Sequence, residues 1–336
     1  MAKALSIIIV NYRSADMVID CIRSIYRFNP LPDCEIIVVD NDSKDDSRQK
    51  ILSAHSSVHW IQMEYNAGFA RANNAGIRES NAPVVLLLNP DTLAIDDSIN
   101  NCLREFQNSD FVACGVQLLN KDHTPQISGN FFMKGGLNHL LPLPYWGSFL
   151  RWIALSMKAQ RTNIPEAKAV VEVDWISGAF LMVKKSAVDT AGLMDEDFFL
   201  YAEEVEWCSR LKQIGKLCIY GQYHLIHLQG EAINKSQGSN EKGYYNLYDR
   251  KGLQLMVSNH VRVRKQYGKG WFLFLLLNYS WGVLVYFVAS FIHRLFTLSN
   301  PFGEWPKCFA YAKNVFYIWK LLPVIMRNKP HFYKLL

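Results

Sequence analysis

Along the first 120 residues, short, mainly apolar runs alternate with longer stretches in which apolar positions recur at helical spacing. Residues 5–10 and 35–40 read as buried strands, residues 58–61 as a third short strand, and the five consecutive apolar residues 84–88 as a strand buried on both faces. Between the first two, Val18, Ile22, Ile25 and Tyr26 fall on one side of a helix that Ser14 can cap. Ser43 and Asp46 form a capping box for a second helix, and residues 66–76 are a polar, glycine-punctuated turn entering a third. Strand and helix alternate at crossover spacing. This predicts an α/β fold, a doubly wound and mostly parallel sheet of Rossmann type.

Beyond this half the pattern loosens. Residues 111–116 give one more strand, and residues 126–171 are weakly patterned around Leu141-Pro142-Leu143-Pro144-Tyr145-Trp146. A stretch of that length without pattern is expected to be a functional loop, here a lid. Order returns at residues 172–183, a strand in which Gly178 allows close approach of a ligand or another backbone. Trp207, Leu211 and Ile214 then form a helical stripe that stops at Gly215. Glu203 and Glu204 therefore stand at that helix's start, where the dipole favours carboxylates, although they could simply cap and solubilise it. After a strand at 217–220, His224 and His227 are expected in a loop before Gly230, as structural residues or as ligands of a Mn²⁺-like ion.

The run at 84–88 ends abruptly in Asn89-Pro90-Asp91. In an open parallel sheet the ligand crevice lies just past the carboxyl ends of the strands, which is where Asp91 falls. Oxygens of Asn89 and Asp91, with Pro90 stiffening the turn, suit Mg²⁺ or Mn²⁺ carrying phosphate. The plain alternative is a strand-to-helix turn with Asp91 or Thr92 as N-cap. No G-x-G-x-x-G follows the first strand and no G-x-x-x-x-G-K-[ST] occurs, so a nucleotide bound here needs a metal for its phosphates.

Charge and composition add a second part to this picture. At 336 residues the chain exceeds one typical domain. From residue 261 onward eleven Lys/Arg face a single acid, Glu304, whereas the body before it is net acidic. A basic, aromatic tail on an acidic body points to an anionic membrane surface and not to nucleic acid. Residues 271–292 carry no formal charge, but Asn278-Tyr279-Ser280-Trp281-Gly282 interrupts them; residues 304–327 are aromatic with Lys313 and Lys320. A single span would send the basic C-terminus outward, so interfacial or re-entrant helices are expected, with a buried helical pair as the alternative. Seven cysteines without a C-x-x-C pair imply free thiols in a reducing compartment, and the N-terminus reads as too short for a signal peptide.

The blocks Ser6-Ile7-Ile8-Ile9-Val10-Asn11-Tyr12, Val38-Val39-Asp40-Asn41-Asp42-Ser43, residues 66–76 and Leu87-Leu88-Asn89-Pro90-Asp91, in this order, resemble family 2 glycosyltransferases. The run from Gly192 to Trp207 and the Ile226-His227 pair agree in order and spacing. Over about residues 4–265 the likeness is to the inverting, rhamnosyltransferase-like bacterial branch with its GT-A fold. The resemblance implies that Asn11, Tyr12 and Asp40 hold the base and ribose of a nucleotide-sugar donor. Asn66, Gly68, Asn73 and Asn74 would line the nucleotide and sugar, and Asp91 would bind Mg²⁺ or Mn²⁺ on the diphosphate, with Asn89 beside it and His227 completing the shell. It further implies Glu204 as base, Glu203 as its orienting neighbour, and Trp175, Ser177 and Gly178 on the acceptor side, with the 126–171 lid. Asn89 replaces the family's usual first Asp, and Glu204 is one methylene longer than its usual base.

The expected organisation is a catalytic domain over 1–265, split into a nucleotide-sugar half (1–120) and an acceptor half (121–265), with a membrane-associating tail over 266–336. The expected activity is inverting transfer, with dTDP-L-rhamnose as first donor, to a lipid-linked saccharide or polysaccharide at the cytoplasmic face of the inner membrane, in cell-surface glycan synthesis. Alternatives are a UDP-hexose, HexNAc or galactofuranose donor, or a catalytically silent scaffold. A nicotinamide-dependent oxidoreductase and a processive synthase are disfavoured by the missing glycine fingerprint and the missing Q-x-x-R-W-like block.

Overall fold

The structure is a computed structural model that describes residues 3–28, 33–157, 164–228 and 246–336. The prolines of the first loop, part of the expected lid and Gly230 lie outside the described residues. The chain divides into two compact units. Unit 1 comprises Met1–Phe131, Asn163–Glu196 and Glu203–Ser239; unit 2 comprises Phe132–Thr162, Asp197–Ala202 and Asn240–Leu336. This division differs from the expected 1–265 and 266–336, because residues far apart in sequence contribute to unit 2.

Unit 1 is built on a mixed sheet. The predicted strands appear as β1 (Leu5–Asn11), β2 (Cys34–Asp40), β3 (His59–Gln62) and β4 (Val84–Leu88), all mutually parallel in the order β3-β2-β1-β4. Helices α1 (Ala15–Phe28), α2 (Ser47–Ala54) and α3 (Gly68–Glu79) make the crossovers. β1, β2 and β4 are buried on both faces, Ile7 and Ile9 facing α1 and its neighbours and Ile8 facing α3, whereas β3 at the sheet's edge is only partly buried and exposes His59 and Gln62. Gly76 of α3 lies so close to Ile8 that a Cβ would come within 2.5 Å of its side chain, which sets the helix tightly on the sheet. On α1 the buried fourth position is Cys21, and Tyr26 is half-exposed.

Past β4 the sequence reading needs correction in three places. The turn at Asn89–Asp91 enters a short strand, β5 (Thr92–Ala94), and helix α4 (Ser98–Gln107) starts later, so Asp91 caps no helix. Strand β6 (Ala113–Leu119) follows, then β7 (Gly129–Asn130). The single strand read at 172–183 is three: β8 (Val170–Val173), β9 (Trp175–Ile176) and β10 (Phe180–Lys184). Helices α6 (Lys185–Ala191) and α7 (Glu203–Leu211) come next. The histidine loop is in fact strand, because β11 runs from Leu217 to His227 with an irregularity between Tyr220 and His224. Strand β10 lies antiparallel between β4 and β6, and β11 pairs parallel with β6 and antiparallel with β5 and β8. Short strands pairing with distant partners carry little local signal, which is why periodicity missed them.

Unit 2 is helical: α5 (Trp146–Ser156), α8 (Arg250–Tyr267), α9 (Lys269–Phe296) and α10 (Trp305–Arg327), with a 3-10 segment Lys134–Leu140. Its core joins Leu140, Met256, Phe272, Leu276, Tyr279, Tyr311 and Ile318. The polar interruption expected to break the tail helix does not. Asn278 Nδ2 donates to Phe274 O (2.9 Å), Ser280 Oγ donates to Leu276 O (2.9 Å), and α9 continues without a break, so no re-entrant hairpin forms within it. Among the described residues α9 is the one helix long and apolar enough to cross a membrane. One face of it is buried in unit 2; the other exposes Leu277, Trp281, Leu284 and Val288, half to three-fifths accessible.

Candidate active site

Every residue predicted for the site lies in unit 1. The turn after β4 is held from several sides: Thr92 Oγ1 donates to Asn89 O (2.8 Å), Asn89 N donates to Ala179 O (3.0 Å), and Cys21 packs beneath with its Sγ 3.5 Å from Thr92 Oγ1. Burial pushes the Cys21 thiol up to about 12, so it stays neutral there. Asp91 is 4% exposed. The β5–β11 register sets Thr92 opposite His227, which brings His227 Nε2 to 3.4 Å from Asp91 Oδ1. That spacing exceeds a hydrogen bond and suits two ligands of one ion at about 2.1 Å. Among the described residues no group of three His, Cys, Asp or Glu could hold a metal. A carboxylate and an imidazole fit an ion of the Mg²⁺ or Mn²⁺ type, which keeps waters and substrate phosphates in its remaining positions.

The ends of β1 and β2 form a second cluster. Asp40 Oδ1 accepts from Asn11 Nδ2 (2.6 Å) and Ser43 Oγ (2.6 Å), and its Oδ2 accepts from Ser43 N (3.0 Å) and Gln62 Nε2 (2.8 Å). Asn11 Oδ1 accepts from Ser14 N and Oγ, so this buried amide is spent within the protein. Ser43 thus organises Asp40, and α2 starts at Ser47 with no side-chain cap from Asp46, contrary to the expected capping box. Arg13, Asp42 and Lys44 all have left-handed φ, from 54° to 63°, beside this cluster. Sparsely populated backbone of this kind clusters at functional sites. The Arg13 guanidinium lies 5.3 Å from the centroid of the Tyr12 ring.

The turn into α3 is tied to the same edge. Asn41 Oδ1 accepts from Ala67 N (2.8 Å) and its Nδ2 donates to Asn66 Oδ1 (3.1 Å), while Gly68 takes φ 78°, which favours glycine. Of the amide pair implied to line the donor, Asn73 turns back to Phe69 O (2.9 Å). Asn74 receives Met194 N (3.0 Å) and donates to Met194 O (2.9 Å) and Glu196 Oε1 (3.1 Å). Both face protein. Asn74, with Arg71 on Glu196 O and Arg78 on its carboxylate, clamps the segment leading towards α7.

At the head of α7, Glu203 is 3% exposed and its Oε2 has no hydrogen-bond partner. Burial, reinforced by the neighbouring Glu204 charge, raises its carboxyl well above the usual range. Glu204 is only half-buried, and its Cβ and Cγ lie 3.6 Å from where a Cβ on Gly178 would sit. Gly178 and Ser177 precede β10, and Ser177 N donates to Ser128 O (2.8 Å); Trp175 of β9 pairs with Asn130. Because Ala179 O also accepts from Asn89 N, one short turn touches the Asp91 loop on one side and Glu204 on the other.

The sequence model of glycosyl transferase family 2 matches residues 6–156. Residues 6–156 are a family 2 glycosyltransferase domain. The chain is 30% identical over 223 residues to a low-salt glycan biosynthesis hexosyltransferase of Haloferax volcanii, covering 63% of this chain and 63% of the relative, just under two thirds of its length. It is 24% identical over 230 residues to an N-acetylglucosaminyl-diphospho-decaprenol L-rhamnosyltransferase of Mycobacterium tuberculosis, covering 62% of this chain and 73% of that one. Among solved structures, a mannosyltransferase from Pyrobaculum calidifontis in complex with GDP-Man and Mn²⁺ aligns with TM-score 0.55 at 14% identity, over 95% of this chain and 88% of that one. That likeness shows the GT-A-like fold. Within the glycosyltransferase domain, sequence reasoning missed Asn41, Gln62 and Gln126 as organisers of the site. Each acts through a partner far along the chain, and a lone polar residue gives no sequence signal of that.

Proposed function

We propose that this chain is a metal-assisted, inverting glycosyltransferase that moves L-rhamnose from dTDP-L-rhamnose to a hydroxyl of a lipid-linked saccharide. The observation that carries the reading is the convergence on one turn: Asn89 and Gly178 tie the Asp91–His227 pair and Glu204 to the same edge of the sheet. Asp91 and His227 would hold the divalent ion, whose chemistry is to neutralise the leaving diphosphate. Asp40 and Tyr12 would receive the base and ribose, with Asn11 and Ser43 fixing the Asp40 carboxylate. Glu204 takes the proton of the acceptor hydroxyl as that oxygen bonds to the anomeric carbon. The bond from that carbon to the diphosphate oxygen breaks, and its electron pair leaves with the nucleotide. One displacement with one base inverts the anomeric centre, following the logic of inverting carboxylate geometries.

The donor assignment draws on the rhamnosyltransferase-like motifs and on the L-rhamnosyltransferase relative; the lipid-linked acceptor draws on the same relative and on the exposed apolar face of α9. That face would rest on the cytoplasmic surface of the membrane, with the basic excess of the tail on its headgroups. The test is release of nucleoside diphosphate by the full chain from a panel of dTDP-, UDP- and GDP-sugars, with Mn²⁺ and a lipid-linked saccharide. Acceptor-dependent release from dTDP-L-rhamnose is expected. Release from another donor alone would move the specificity, and release from none would contradict the proposal.

A further inference from the structure

Gln126 is 5% exposed and sits between β6 and β7, with its backbone N donating to Leu118 O (2.8 Å). Its side-chain Nε2 donates to His227 O (2.6 Å) and Asn120 Oδ1 (2.8 Å), with Leu119 O at 3.3 Å. Its Oε1 lies 3.0 Å from His227 Nδ1. Backbone carbonyls can only accept, so His227 O and Leu119 O fix which end of the amide is nitrogen. The other end is then a carbonyl oxygen, which also can only accept. The hydrogen between Gln126 and His227 must therefore be on Nδ1. In a neutral imidazole the remaining nitrogen, Nε2, then carries a bare lone pair. That is the atom 3.4 Å from Asp91 Oδ1. A lone pair facing a carboxylate oxygen is two acceptors turned on each other, an arrangement that makes sense around a shared cation.

We propose that Gln126 is a positioning residue that locks His227 as its Nδ1–H tautomer, so that Nε2 and Asp91 are offered together to a divalent cation. The inference rests on the metal reading given above for the same site. Partners that orient a histidine ligand through its second nitrogen typically change metal affinity about 10–100-fold when removed.

The tautomer is measured on metal-free, full-length protein by two-bond ¹H–¹⁵N correlation of the histidine rings, with His227→Gln identifying the resonance. Mn²⁺ binding is measured by electron paramagnetic resonance with dTDP present. Wild type is expected to show a protonated Nδ1 and an unprotonated Nε2. Gln126→Met removes both contacts and should give mixed tautomers and Mn²⁺ affinity weakened about tenfold or more. Gln126→Glu keeps an acceptor for Nδ1–H but loses the donor to His227 O; it should retain the tautomer and bind Mn²⁺ more tightly than Gln126→Met does, which separates orientation of the ring from the other contacts of the amide. A protonated Nε2 in wild type, or unchanged Mn²⁺ affinity in a folded Gln126→Met, overturns the proposal. Wild type that holds Nδ1–H yet takes no Mn²⁺ overturns the metal reading itself and the purpose given to the lock.

Discussion

Two adjacent glutamates at the head of α7 look equivalent in sequence and are not. Neighbouring helical residues diverge by about 100°, which here puts Glu203 into the interior and Glu204 against Gly178. Glu203 is sealed in the interior, where burial and the Glu204 charge favour its protonated form, whereas Glu204 is the one of the pair that reaches open space beside Gly178. Glu204→Gln is therefore expected to lower kcat by about 10²–10⁴-fold with donor binding near normal, because a lost general base costs that much. Glu203→Gln, an amide in place of a neutral acid, should keep most activity; the reverse result would shift the base by one residue. Glu203 also makes a prediction about pH. As pH rises past about 4.3 the unfolded chain releases this proton while the folded chain retains it, so the group lowers stability progressively towards neutrality. The Tm advantage of Glu203→Gln over wild type should be near zero below that pH and larger at neutral pH. A difference that does not change with pH would show that Glu203 titrates normally. Asp91 was legible in sequence because an apolar run ends on it. Its partnership with His227 was expected only by family likeness, since the strand pairing that creates it spans more than a hundred residues.

At the scale of elements, the four parallel strands were legible as short apolar runs and α1 by its helical period, while α2 and α3 were read from the polar turns that precede them. What failed was local chemistry whose meaning depends on distant partners. Asn74 reads as a ligand contact within a polar turn, yet its whole amide is engaged by Met194 and Glu196, joining α3 to the approach to α7. Asn74→Ala should strand the buried N–H of Met194 and cost about 2–3 kcal/mol in denaturant unfolding of the full chain, as buried orphan polar groups do. Arg78→Ala, which removes a half-exposed ion pair to the same Glu196, should cost under about 1 kcal/mol. Equal effects would mean that Glu196, and not the Met194 backbone, is what α3 holds.

For the whole molecule, charge and hydropathy forecast a distinct C-terminal part, and the structure adds where it begins. Residues 132–162 and 197–202 are built into unit 2 along with α8, so α9 and α10 are its core as well as its surface. Cutting the chain at Lys269 would remove Phe272, Leu276 and Tyr279 from that core, so the membrane reading is better tested by side chains that face outward. Leu277→Glu, Leu284→Glu and Val288→Glu together should release the protein from anionic vesicles in a flotation assay, while transfer to a water-soluble acceptor persists. Unchanged flotation would mean that this face is not what meets the membrane. The central claim, that Asp91 and His227 hold an ion on which sugar transfer depends, is tested most directly by one titration. Chelator-stripped wild type and Asp91→Ala are supplied with graded Mn²⁺ or Mg²⁺, and the initial rate of acceptor-dependent transfer is followed. Transfer should appear only with the ion and saturate in wild type, and stay absent at every concentration in folded Asp91→Ala; full transfer by wild type in excess chelator would contradict the account.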